Sequence, residues 1–176
     1  YSLLLNDINE NIPVEIFEKK TRIIIVGYFD HFNIGDEQYK LTFQYIFNNF
    51  LQNKDSYYIY YIDCDSFKNF EVDDSDIILL GGGDVLNNYF LDTLNRIFQN
   101  KPNKIIAISV GLPYNEILVN TNKLAIIDYI FLRTKQDLEL FSRYFLPERL
   151  FYIPDISLFL IYFPKRSEEH TSELQS

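Results

Sequence analysis

The chain has 176 residues, with 25 Asp and Glu against 16 Lys and Arg, one Cys, no Met or Trp and six Gly; that length allows one domain with a proper core. Its 47% hydrophobic and 23% charged content is that of a folded protein, and a formal net charge of −9 argues against an electrostatic grip on nucleic acid or an anionic membrane. One Cys excludes an internal disulfide framework and a four-cysteine zinc site, and the longest apolar runs, such as 156–163, fall short of the roughly 18–20 residues that span a bilayer.

The segment before residue 22 is acidic and weakly patterned, and is read as a helix or a lead-in strand. Residues 22–29 (RIIIVGYF) form a continuous β-branched run, the pattern of a strand buried on both faces. From Asp36 to about Leu51, Tyr39, Phe43, Ile46, Phe47 and Phe50 recur at helical spacing. Strands are predicted over 57–62 and 76–80, then a helix over 85–98 with Leu86, Phe90, Leu94 and Ile97 on one face. A fourth strand covers 104–110, a weaker helix 115–128 and a short fifth strand 129–132. A helix over 134–145 has Thr134 as N-cap and Asp137 in capping-box position. A sixth strand spans 150–153, and residues 157–163 open another helix. Alternating strands and helices joined by short loops predict a Rossmann-like, doubly wound α/β fold with a parallel sheet.

Residues 166–176 (RSEEHTSELQS) break this pattern, being wholly polar but for one Leu and without period. The string resembles the translation of a short-read sequencing adapter. It is therefore read as a non-native tail, and with the absence of Met this predicts a segment of a longer protein, natural over 1–165. No charged-then-apolar leader is visible, and a cytoplasmic location is expected.

All six glycines fall at or just after the carboxyl end of a predicted strand, the edge at which open α/β sheets bind ligands. Gly81, Gly82 and Gly83 together exceed what a turn needs and suggest a cradle of backbone N–H groups aimed at an anion. The dinucleotide fingerprint G-x-G-x-x-G and the P-loop are both absent, which disfavours NAD and P-loop chemistry.

Four motifs stand in order along the chain: Asn33-Ile34-Gly35-Asp36-Glu37 after the first strand, the strand 76–80 running into Gly81-Gly82-Gly83, the strand 106–110 ending in Gly111, and Phe131-Leu132-Arg133 followed by Pro154-Asp155. Together they resemble the motifs of the polysaccharide pyruvyl transferase family. The chain departs from the family pattern at Thr134, where an Asp is common, at Asp137, where a Ser is usual, and in the order of Pro154-Asp155. The resemblance covers about residues 22–160. It implies the N-terminal half of a GT-B-like two-domain enzyme that moves pyruvate from phosphoenolpyruvate onto a sugar as a ketal, in exopolysaccharide biosynthesis. It implies no cofactor, phosphoenolpyruvate being the donor substrate. A missing C-terminal domain and a sugar or glycan acceptor are the expected partners.

Substrate contacts are then expected at Asn33, Gly35, Asp36, Gly81, Gly82, Gly83, Asp84, Gly111 and Arg133. Asp36 is the candidate catalytic carboxylate, as acceptor or base for a sugar hydroxyl, against the alternative of a helix N-cap. Asn33 either shapes its loop through an Asx-turn or binds ligand. Asp84 is read as an N-cap as well as a contact, Arg133 as an anchor for a carboxylate as well as a ligand group, and His31 as a solvated loop residue. Phosphoenolpyruvate carries a phosphate and a carboxylate and needs cations. This edge has only Arg133 and His31, so the donor-binding cations are placed in the missing half and the fragment alone is expected to be inactive. Asp63-Cys64-Asp65 has the form of a D-x-D metal motif, a spacing common by chance in an acidic chain, and no metal is expected. A GT-B-type glycosyltransferase half and a non-enzymatic sugar-binding or scaffold domain are the alternatives.

Overall fold

The computed structural model describes residues 20–98, 102–113, 121–144 and 146–162. Six parallel strands make one sheet: β1 (Thr21–Gly27), β2 (Tyr57–Asp63), β3 (Ile77–Gly83), β4 (Lys104–Val110), β5 (Tyr129–Leu132) and β6 (Leu150–Tyr152). Between them run α1 (Ile34–Phe50), the single turn α2 (Cys64–Phe67), α3 (Asn88–Phe98) and α4 (Lys135–Phe141), and α5 (Phe159–Tyr162) follows β6. The spatial order is β2-β1-β3-β4-β5-β6. The chain winds outward from β1 to β2, then returns past β1 and winds the other way from β3, so β1 and β3 flank the switch point. The predicted Rossmann-like, doubly wound α/β sheet is what the chain forms.

Side-chain alternation along β1 and β3 divides the core between the two faces of the sheet. Ile23, Ile25 and Leu79 pack with Tyr39 and Phe43 of α1. Ile24, Val26, Ile78 and Leu80 pack with Phe90, Leu91, Leu94 and Phe98 of α3, with Phe67 of α2 and with Phe141 of α4. Full burial of one such side chain contributes about 1.5–3 kcal/mol, so a strand buried on both faces reads as an unbroken apolar run. The edge strand β2 instead leaves Tyr58 and Tyr60 exposed at 51% and 38%.

Several element ends differ from expectation. In α1 the buried stripe is Tyr39, Thr42 and Phe43, while Phe50 is 60% exposed at the helix end. The described part of the helix predicted over 115–128 is a 3-10 turn at Thr121–Leu124, and residues 114–120 lie outside the described residues. α4 stops at Phe141, although Thr134 caps it as predicted, its Oγ1 accepting from the Asp137 N–H at 3.0 Å. The lead-in segment up to residue 19 and the tail 166–176 lie outside the described residues. Among the described residues, no helix is long and apolar enough to cross a membrane.

Candidate functional site

At the switch point the loops after β1, β3 and β5 enclose a cavity of about 430 Å³. Six of the sequence-selected residues line it: Asn33, Gly35, Asp36, Gly83, Asp84 and Arg133. Gly81, Gly82 and Gly111 do not.

The first loop ends in a cap that fixes the start of α1. Asn33 is extended (φ −86°, ψ 109°) and its Oδ1 accepts from the Gly35 N–H at 3.2 Å, while its carbonyl accepts from the Glu37 N–H at 3.0 Å. Asn33 is therefore the N-cap, not Asp36, which sits in the first helical turn and turns toward the cavity. A Cβ added at Gly35 would meet only Asn33 Oδ1, at 3.5 Å. Backbone geometry does not demand that glycine, and its bare position keeps the cavity wall open.

The glycine run is set by packing against α1 at two of its three positions. A Cβ at Gly81 would lie 2.8 Å from Phe43 Cε2, and one at Gly82 would lie 2.2 Å from Tyr39 Cγ. Gly82 and Gly83 also have φ near +70°. Two large rings of α1 thus lie directly on the β3 backbone, and of the three glycines only Gly83 borders the cavity. Gly111 has an analogous role beneath the ion pair: its Cβ would meet Arg133 Nε at 2.8 Å and Asp84 Oδ1 at 3.0 Å. Asp84 is not a cap either. Asn87 caps α3, its Oδ1 accepting from the Phe90 N–H at 3.1 Å and its carbonyl from the Leu91 N–H at 3.0 Å.

Arg133 is held on two sides. It pairs with Asp84 through Nη2 and with Asp155 Oδ2 through Nη1 at 3.3 Å. The Tyr39 hydroxyl donates to Asp155 Oδ1 at 2.7 Å, and Asp155 also accepts from the Ser157 N–H and hydroxyl at 2.9 and 2.7 Å. Burial pushes the Asp155 pKa up, but the Ser157 and Tyr39 hydrogen bonds and the Arg133 charge outweigh it and leave the carboxyl below its ordinary range. Ser109 ties this network to the sheet: it is fully buried at φ 56°, and its Oγ accepts from the Ile156 N–H at 3.0 Å. Arg133 is thus an anchor between motifs far apart in sequence, with both carboxylate partners in place.

Unlike Asp84 and Asp155, Asp36 makes no side-chain hydrogen bond among the described residues. Burial is the main cause raising its pKa, the Glu37 charge adds to it, and Arg133 and His31 only partly offset the rise. The folded state therefore holds this proton more tightly than the unfolded chain does. The group favours folding below its ordinary value of 3.8, and that contribution is lost as pH rises through the raised value. Asp36→Asn is expected to raise the melting temperature by about 2 °C near neutrality, with the gain vanishing in acid. Thermal melts across pH check this, and a lower melting temperature for the variant near neutrality would contradict it.

His31 is not simply solvated, as the sequence had suggested. Its ring stacks on Tyr28 with centroids 3.8 Å apart, and Nε2 lies 2.8 Å from Asp63 Oδ1. His31, Asp63 and Asp65 bring ligand atoms within 4.8 Å of one another, so the D-x-D pair does converge with a third metal-type group. Protein partners already occupy these atoms. Asp63 Oδ2 accepts from the Asp65 N–H at 2.9 Å, and Asp65 Oδ1 holds the Lys68 ammonium at 2.5 Å and the Tyr89 hydroxyl. Cys64 between them is buried, and burial pushes its thiol up to about 12, an unreactive state.

Sequence reasoning missed Tyr28, Tyr39, Asn87 and Tyr89 as cavity residues. Asn87, three residues before Phe90, carried a cap signal that the nearer Asp84 obscured. Tyr39 read only as a core position; nothing local announces that its hydroxyl reaches residue 155.

No family model matches the chain, and no curated protein matches it. Among solved structures, it is similar to a protein provisionally named a phosphosugar isomerase, from Salmonella typhimurium LT2, at 15% identity and a TM-score of 0.42. That alignment covers 64% of this chain and 30% of the other, so the chain spans under a third of that protein. It is also similar to a response regulator from Colwellia psychrerythraea, at 14% identity and a TM-score of 0.40, covering 70% of this chain and 92% of the other.

Proposed function

We propose that the chain is the N-terminal half of a cytoplasmic pyruvyl transferase of the polysaccharide type, and that its switch-point cavity receives the sugar acceptor. One observation carries the reading: the Asn33–Asp36 loop, the end of the glycine run and Arg133, from three motifs far apart in sequence, meet at one cavity, with Asp155 of the same motif as Arg133 bound to it. Asp36, without a hydrogen-bond partner among the described residues, is suited to accept a proton from an attacking hydroxyl. In ketal formation two hydroxyl oxygens bond to C2 of phosphoenolpyruvate and the C2–O bond to phosphate breaks; one hydroxyl proton ends on the methylene carbon, which becomes methyl, and the other leaves with the phosphate. Arg133 is spent on Asp84 and Asp155, so the cations that grip the donor belong to the second half.

The test uses the chain joined to its downstream half, incubated with phosphoenolpyruvate and a panel of glycans. Phosphate release is expected only when donor and acceptor are both present, to fall by about 100-fold in Asp36→Asn, and to be absent for residues 1–165 alone. Turnover of a nucleotide sugar instead would favour a GT-B-type glycosyltransferase. Silence across a broad panel would favour a sugar-binding or scaffold domain.

A further inference from the structure

The charges of the cavity narrow what it takes. Its lining carries two carboxylates, Asp36 and Asp84, against one cation, Arg133, and Asp155 stands behind that cation. Among the described lining residues there is no Lys or His. An incoming anion would have to displace Asp84 from Arg133 and then face Asp36. An incoming cation meets the reverse situation: Asp36 has no hydrogen-bond donor among the described residues, and it is partly withdrawn from water. Asn33 and Asn87 are spent as helix caps, but Tyr28 and Tyr89, 40% and 44% exposed, line the same walls, each with one ring face covered, Tyr28 by His31 and Tyr89 by the Lys68 ammonium. An unpaired carboxylate beside the open faces of aromatic rings is the chemistry that recognises a protonated amine on a polar ring.

We propose that the cavity selects an amine-bearing sugar in its protonated form, with Asp36 as the residue that reads the positive charge. The inference rests on the reading of this cavity as the acceptor site, and it makes Asp36 a specificity determinant as well as a base. The Asp36 carboxylate gains a charge-assisted hydrogen bond from the ammonium, while Arg133 stays on Asp84 and Asp155 and keeps the cavity walls in place.

Calorimetric titration of the full 176-residue chain with D-glucosamine, N-acetyl-D-glucosamine and D-glucose, in buffer that keeps the amine protonated, tests this. Glucosamine is expected to bind at least about tenfold more tightly than either neutral sugar. Asp36→Asn should remove that preference while a thermal melt shows the variant folded. Equal or tighter binding of a neutral sugar would overturn the proposal, as would no binding by any of the three. A preference that survives Asp36→Asn, or glucosamine losing the site to magnesium or manganese at equal concentration, would also overturn it. Amine selectivity without phosphate release from the two-domain protein would sink the pyruvyl transfer reading and leave this one intact. Turnover that ignores the amine would do the reverse.

Discussion

Gly82→Ala is expected to destabilise the fold by about 4 kcal/mol, lowering the denaturant midpoint steeply. Two costs add. A left-handed backbone at φ 70° costs a residue with a Cβ about 1–2 kcal/mol. The new methyl would also sit 2.2 Å from Tyr39 Cγ, an overlap no rotamer relieves, because Tyr39 is 3% exposed and its hydroxyl is fixed on Asp155. Relief requires α1 to lift from β3, and this overpacking costs a further 1–3 kcal/mol or so. Gly83→Ala separates the two costs. It shares the left-handed backbone, at φ 72°, but its Cβ would meet only Asp36 Oδ1, at 3.2 Å, so about 1–2 kcal/mol is expected. Equal losses at the two positions would show that backbone conformation alone governs the run and that ring packing does not. Displacing Tyr39 also frees Asp155 and loosens Arg133, so the folded fraction of Gly82→Ala should bind cavity ligands more weakly than its stability loss explains.

What the sequence made legible follows from the range of the forces involved. The strands β1, β3 and β4 were readable because burial on both faces leaves apolar runs that nothing else explains, and Thr134 because capping is decided within four residues. The glycines gather at one sheet edge, as their places after the strands predict, but the packing at Gly82 is not local: Tyr39 lies more than forty residues away, and no local pattern tells that its ring covers that backbone. The same holds for the bonds from Arg133 to Asp84 and Asp155, 49 and 22 residues away. Caps were the reverse case. Asp36 and Asp84 look like N-caps by composition, yet Asn33 and Asn87 hold the cap hydrogen bonds. That shift of three residues turns Asp36 and Asp84 from helix punctuation into cavity wall. The cavity wall is therefore assembled by long-range contacts that only the folded chain reveals.

Arg22→Met should cost about 3 kcal/mol and leave ligand binding by the folded fraction unchanged. Arg22 lies at the amino end of β1, the sheet edge opposite the cavity. There it makes a two-pronged contact with Asp76, Nε to Oδ1 at 2.8 Å and Nη2 to Oδ2 at 2.6 Å, and donates to the Glu71 carbonyl at 3.0 Å. The Asp76 side chain is fully buried, whereas that of Arg22 is 24% exposed. Removing the guanidinium leaves a buried carboxylate with the Asp73 N–H at 2.8 Å as its remaining hydrogen bond among the described residues. Breaking such a pair costs about 3–5 kcal/mol, and the partial exposure of Arg22 sets the lower end. Asp76 also braces its own loop: Asn103 donates to the carbonyls of Asp73 and Asp76 at 2.8 and 3.1 Å, so β1, the 71–76 loop and the entry to β4 loosen together. The paired variant Arg22→Met/Asp76→Leu should recover most of the loss, because an apolar pair carries no desolvated charge. A single-variant cost below about 1 kcal/mol, or no recovery in the double variant, would refute the buried-charge account. In this sheet the amino edge holds the fold through a saturated ion pair. The carboxyl edge leaves Asp36 unsatisfied, where a ligand can meet it.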